Sequence, residues 1–280
     1  MRQNLGAKQS MTFQNGLNNS KLVNQYNMKD VAKIKDCINR CLGSGRFYER
    51  FVESQIRVNF PQSFCKHIED IRDDIPIRID GETKNRKGRK YTKTDVDKRC
   101  HIDLFFKFDK NEGKMLTMDV KAPKRIKRQD PSYNYDIEYV EFTNVYGMEG
   151  WVRGKSDYIA FVTDSDIIIV NRKRLYTYSS NIVRENSPIF IGNITDKYPN
   201  DYLHRLSRRK DGEDLVTILN TEEIRELAKN YGGMIMQFEK RIDWNDVEHK
   251  KKCGEDISNY LNVSMNILDY RKTESVAEAS

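Results

Sequence analysis

Apolar residues recur with two different periods along this 280-residue chain. Val31, Ile34, Ile38 and Leu42 follow helical spacing from Met28 onward, and Gly43, Ser44 and Gly45 break the run. A second helix is predicted from Phe47, Phe51, Val52, Ile56 and Val58 up to Pro61, and a short third one over 63–71. Residues 75–79 (IPIRI) read as a strand. Two β-like segments follow, HIDLFFKF (101–108) and KMLTMDVKA (114–122), joined by the turn-forming DKNEG. Together they predict a hairpin. Further strands are predicted over 137–145, 158–162, 167–170 and 215–219. Thr221 then reads as the N-cap of a helix, TEEIRELAK, acidic at its start and basic at its end.

This order predicts an α/β protein with a flexible arm over 1–27, a main domain over 28–225, and a helical C-terminal extension and tail over 226–280. There is no internal repeat. The first 27 residues are rich in Asn, Gln, Gly and Ser and carry no apolar core of a signal peptide. The five cysteines are scattered, with Cys37 and Cys41 one helical turn apart, which predicts neither a zinc ribbon nor a disulfide framework. A reducing, cytoplasmic compartment is expected, with no membrane span.

Charge adds a partner. Forty-nine Lys and Arg against 42 Asp and Glu leave +7 and a pI near 9.0. That balance favours polyanions, although a lysine-rich surface alone would produce it too. Basic residues crowd two stretches flanking the hairpin: 84–99, with Lys87, Arg89 and Lys90, and 121–128, with Lys124, Arg125, Lys127 and Arg128. Tyr133 and Tyr135 follow the second, placed to stack on bases or simply to pack.

The candidate chemistry sits on the hairpin. Alternate strand residues share a face, so Asp119 and Lys121 point the same way and Val120 the other. Asp103 lies on the preceding strand, and pairing brings its carboxylate within roughly 5 Å of that of Asp119. Two adjacent acids repel, and a bound Mg²⁺ (or Mn²⁺) relieves the repulsion. The acid-x-Lys spacing also occurs at Glu82, Glu112 and Glu248, but those copies lie in a loop, a turn and a charge run. Only the Asp119 copy sits in an apolar strand, next to a second strand carrying Asp103 in an apolar setting, and Asp is unfavourable in strands. His101, two residues from Asp103, shares its expected strand face and is a weaker candidate for the surroundings of the site. A P-loop, a GxSxG elbow and an HExxH helix are absent.

A helix carrying Glu, a strand carrying Asp, a turn, and a strand carrying Asp119-Val120-Lys121 together resemble the PD-(D/E)xK nuclease superfamily over about residues 47–170. Ile102 stands where the motif has Pro. The resemblance implies a restriction-endonuclease-like core, a mixed central sheet flanked by helices, and Mg²⁺-dependent endonuclease chemistry on DNA, with RNA left open. It places the metal at Asp103, Asp119 and Val120, with Lys121 orienting water or offsetting transition-state charge. It adds a helix carboxylate, Glu53 or Glu49, of which Glu53 is preferred for its place beside Val52 and Ile56. Homodimers are common in that superfamily. The segment 139–161 is similar to one in phage-encoded members, which would place the protein in a host cytoplasm. Within it, Trp151, Lys155 and Asp157 are candidates for contact with DNA or the site, against core packing for Trp151 and a strand start for Asp157. Two other readings stay open: a non-catalytic nucleic-acid-binding protein on a degenerate nuclease fold, and a basic phage structural or assembly protein.

Overall fold

The computed structural model describes residues 45–71, 92, 100–107, 114–125, 130, 132–183, 189–191, 203–209, 212–261 and 263–270. The arm over 1–27, the helix expected from Met28, Cys37 and Cys41, the strand over 75–79 and Lys87, Arg89, Lys90, Lys127 and Arg128 lie outside the described residues.

The chain is mixed α/β. Helix α1 (Arg46–Asn59) packs on a seven-stranded sheet built from β1 (Phe64–His67), β2 (Leu104–Lys107), β3 (Leu116–Lys121), β5 (Tyr158–Val162), β6 (Asp166–Asn171), β10 (Met234–Phe238) and β11 (Met265–Asp269), in that spatial order. All neighbours are antiparallel except β3 and β5. A second sheet has the order β4 (Ile137–Thr143), β9 (Leu215–Asn220), β8 (Ser207–Arg209), β7 (Ile189–Ile191). Helices α2 (Arg172–Ile182), α3 (Thr221–Asn230), α4 (Trp244–Lys252) and α5 (Ser258–Leu261) complete the described elements.

Each face of the large sheet has its own core. Met118, Val120, Ala160, Val162, Ile167 and Met236 face a core closed by α1 and α4, where Phe47, Tyr48 and Phe51 set their rings edge-on around Trp244 at 5.0–6.0 Å. Ile159, Phe161, Ile168, Val170 and Ile235 face a second core, shared with Leu175 of α2, Ile224 and Leu227 of α3, and Val140, Phe142 and Leu219 of the small sheet. Buried on both faces, β5 (YIAFV) and the IIIV of β6 read as continuous apolar runs.

The parallel β3–β5 pair requires a crossover. Residues 122–157 make it, carrying β4 and a 3₁₀ turn (Trp151–Arg153). The crossover therefore lays β4 over the face of β3 that bears Asp119 and Lys121.

Several expectations change. Residues 64–67 form an edge strand, with Cys65 and His67 facing inward, and a 3₁₀ turn (Ile68–Asp70) follows in place of the helix expected over 63–71. The N-cap of α3 is Asn220, in a capping box with Glu223, rather than Thr221. The helical extension expected over 226–280 is also corrected. Residue 226 lies inside α3, and β10 then enters the large sheet between β6 and β11. MIMQF has no alternation because both faces of β10 are covered.

Candidate active site

The hairpin register decides the site. Leu104 pairs with Met118 and Phe105 with Thr117, which sets Asp103 opposite Asp119 at the end of the ladder. Asp103 N–H donates to Met118 O at 2.9 Å, and its carbonyl accepts from Ile68 N–H at 2.8 Å. Just before it the chain turns away: His101 has φ 51°, and Cys100 O accepts from Lys155 N–H at 2.8 Å. The Val120 N–H is taken instead by the Asp103 carboxylate, Oδ2 at 2.7 Å. This bond fixes the carboxylate at the strand end, beside Asp119. His101 lies outside the strand, not on its Asp103 face.

Asp119 is buried. Its Oδ1 lies 2.7 Å from Lys121 Nζ, and its Oδ2 has no hydrogen-bond partner. An unpartnered buried carboxylate oxygen is costly unless something else satisfies it. Burial, then the Asp119 charge, then that of Glu49 push Asp103 well above the ordinary carboxylate range, against Lys121 and the Val120 N–H. Lys121 Nζ stands 4.8 Å over the Trp151 ring, a cation–π contact that fixes the side chain. Trp151 is held by Gly150, whose N–H donates to Phe142 O at 2.9 Å; a Cβ on Gly150 would lie 2.3 Å from Glu141 O. Only glycine permits that approach.

The two helix carboxylates separate. Glu49 reaches Asp103 electrostatically and accepts from His67 Nε2 at 2.7 Å. Glu53, 1% exposed, is paired with buried Arg50 at 2.9 Å, and Arg50 also binds Asp70. Glu49 is the helix acid whose charge falls on Asp103, whereas Glu53, the one preferred from the sequence, pairs with a buried arginine. Both lie on the inner surface of α1, one helical turn apart, and sequence pattern could not rank them.

The basic stretch does not fan outward where it is described. Arg125 pairs with Glu248 of α4 at 2.9 Å and stacks 4.4 Å over Tyr133, whose hydroxyl also binds Glu248. Lys124 turns inward; burial pulls it below the ordinary lysine range, opposed first by Glu138. Lys155 is exposed. Asp157 closes the start of the β3–β5 pair, its Oδ2 accepting from Thr117 N–H and Oγ1–H, both at 2.9 Å.

Glu138 and Glu141 were missed as site residues. Glu138, on β4, is 2% exposed, its Oε2 has no partner, and burial against Lys124 and Lys121 leaves it at about 8. Glu141 is pushed up by burial, restrained first by Lys121 and then by the Trp151 N–H. Reading β4 as a strand was available from sequence; its packing over Lys121 was not.

Among the described residues no group of three or more His, Cys, Asp or Glu side chains gathers at metal-ligand spacing. Two carboxylates do suffice for Mg²⁺, which commonly keeps waters and takes substrate phosphate oxygens as its other ligands. The open Oδ2 of Asp119 and the repulsion felt by Asp103 fit such an ion. Val120 adds only a backbone oxygen as a donor. No helix among the described residues is long and apolar enough to cross a membrane. Compared with family models, curated proteins and solved structures, the chain finds no match in any of the three.

Proposed function

We propose that this chain is a divalent-metal-dependent nuclease of the PD-(D/E)xK type, with a restriction-endonuclease-like core and DNA as its substrate. One observation carries the reading: Asp119 pairs with Lys121, its charge falls on Asp103, and one of its carboxylate oxygens is unpartnered. The mixed sheet flanked by helices and the preceding helix bearing Glu49 are consistent with it. The excess of +7 supports a polyanionic substrate.

Asp103 and Asp119 would hold Mg²⁺, which when bound supplies a Lewis acid for a phosphoryl oxygen and acidifies water. Asp103, held above the ordinary range, must lose its proton to serve as a ligand, so affinity rises with pH. Lys121, steadied by Asp119 and the Trp151 ring, presents a fixed ammonium to the non-bridging oxygens, where negative charge grows as the phosphodiester is attacked. The crossover that carries β4 shields this face from bulk water, which strengthens each of these interactions.

The test is incubation of purified protein with end-labelled duplex, branched and single-stranded DNA in Mg²⁺, Mn²⁺ or EDTA. Cleavage in either metal and none in EDTA is expected. Binding without cutting on every substrate and metal would overturn the enzyme reading in favour of a binding protein. Neither binding nor cutting would favour an assembly protein.

A further inference from the structure

The crossover that covers the site ends in an apolar tip. Beyond β4 the chain turns back on itself: Thr143 pairs with Glu149, Gly150 N–H donates to Phe142 O, and Trp151 follows under Lys121. Residues 144–148 make the turn. Asn144 Oδ1 accepts from the Tyr146 and Met148 N–H groups, both at 3.0 Å. Asn144 N–H donates to Met148 O and its carbonyl accepts from Gly147 N–H, both at 2.9 Å. Gly147 supplies the φ of 73° that the turn needs. The tip backbone is therefore held, while its side chains stand in solvent. Tyr146 is 78% exposed, Met148 57% and Val145 39%. Turns are ordinarily built from small polar residues, and three large apolar ones on a held turn are a cost that folding does not require.

Two observations say what covers this tip. The three side chains offer roughly 300 Å², well below the ~800 Å² that each partner gives to a stable protein interface. Exposed Glu149 and the exposed Glu213 carboxylate, which lies against Gly147, disfavour a phosphate there, so apolar and aromatic surface is what the tip presents. From Trp151 to the apex the hairpin advances by about three residues, on the order of 10 Å, which is also the rise of about three stacked bases. Resting on the nuclease reading above, we propose that the tip is a wedge for duplex DNA. Tyr146 and Met148 enter a base step about three nucleotides from the scissile phosphate, Tyr146 stacking on the base it uncovers and Met148 filling the gap. Apolar side chains inserted in this way unstack a step and kink the duplex. The Asn144 bonds fix the tip beforehand, so little ordering is lost on binding. The substrate is then a duplex that opens at one step, and the rigid link through Gly150 and Trp151 ties that opening to Lys121.

The experiment places a fluorescent adenine analogue, bright when unstacked, at each step around the wild-type cut in a fully paired duplex. Binding of wild type in Ca²⁺ is expected to raise its emission at one step, about three nucleotides from the cut, and not at the others. The double variant Tyr146→Ser, Met148→Ser should bind without that rise and cut the paired duplex in Mg²⁺ roughly tenfold more slowly. A mismatch built at that step removes the cost of opening it, and should return the double variant to about the wild-type rate on paired DNA. Asn144→Ala keeps both side chains but frees the turn, and should lose about threefold. Melting curves check that each variant is folded. An unchanged emission with wild type bound, or a double variant that is not slowed, would overturn the inference while leaving the nuclease reading intact. So would cutting confined to single strands, which have no paired step to open. A wild-type dimer, seen by sedimentation and lost in the double variant, would assign the tip to a second copy and overturn it as well. Failure of wild type to cut any DNA in any metal would remove the nuclease reading, and the inference with it.

Discussion

Two buried aspartates on the large sheet, Asp119 and Asp166, are 3% and 4% exposed and each meets a basic side chain at 2.7 Å. Their surroundings differ in two respects. Asp166 accepts from Thr163 Oγ1 at 2.5 Å and from Arg225 Nε at 2.7 Å, so both of its oxygens are used. Asp119 keeps Oδ2 open and has a second acid beside it. The satisfied aspartate ties α3 to the start of β6. The unsatisfied one keeps an oxygen free for the cation proposed above. Burial and an ion pair do not distinguish a functional carboxylate from a structural one; an unused oxygen and a like-charged neighbour do.

The largest expected effect follows from that contrast. Asp119→Asn should lower metal-dependent cleavage by roughly a thousandfold, the equivalent of several kcal/mol of transition-state stabilisation, with the melting temperature unchanged or raised. Asp166→Asn should do the reverse, costing about 2 kcal/mol of stability by leaving Arg225 half-paired while the rate below the melting transition stays within about twofold. Parallel cleavage assays and thermal melts check both; equal rate losses in the two variants would erase the distinction.

The two helix acids extend the same contrast. Glu53→Gln is expected to cost about 2 kcal/mol, because Arg50 keeps Asp70 but loses a buried partner. Glu49→Gln should move the acid limb of metal-dependent cleavage to lower pH with little change in melting, since removing that charge eases loss of the Asp103 proton. Urea unfolding and initial rates separate them.

A smaller effect concerns pH. Glu138 is raised in the folded chain to about 8, so the stability it contributes is fully present below the ordinary carboxylate value and is lost as pH rises through about 8. Metal-free wild type should therefore lose melting temperature between roughly pH 6 and pH 9 more steeply than Glu138→Gln. Lys124, held low, gives the opposite slope, and removing Glu138 lowers it further, which adds to the same difference. Identical slopes in the two proteins would show that Glu138 is not perturbed. The smallest effect expected is from Trp151→Leu, which removes the ring under Lys121. It should cost about 1 kcal/mol of transition-state stabilisation, a rate loss of about fivefold at saturating substrate.

The hairpin with Asp103, Asp119 and Lys121 was legible because local signals agree there: alternation, a polar turn, and two acids at apolar strand positions. Helix α1, β4, β5, β6, β9 and α3 were legible for similar reasons. What escaped depends on distant parts of the chain. The short run FCKH becomes a strand only because β2 offers an edge, and β10 only because β6 and β11 flank it. Helix α2 (RKRLYTYSSNI) buries only Arg172, Leu175 and Ser179, too narrow an apolar stripe to stand out. The different partners of Glu49 and Glu53, the inward turn of Lys124 and the burial of Glu138 depend on which face of α1 meets β1 and where the crossover lies.

The central claim is that Asp119, with Asp103, holds a catalytic divalent cation beside Lys121. The most direct measurement is the cleavage rate of labelled DNA in Mg²⁺ by wild type, Asp119→Asn and Asp166→Asn, at one temperature below all three melting transitions. The account predicts cutting by wild type and Asp166→Asn, abolished by EDTA, and none above background by Asp119→Asn. Undiminished metal-dependent cutting by Asp119→Asn would contradict it.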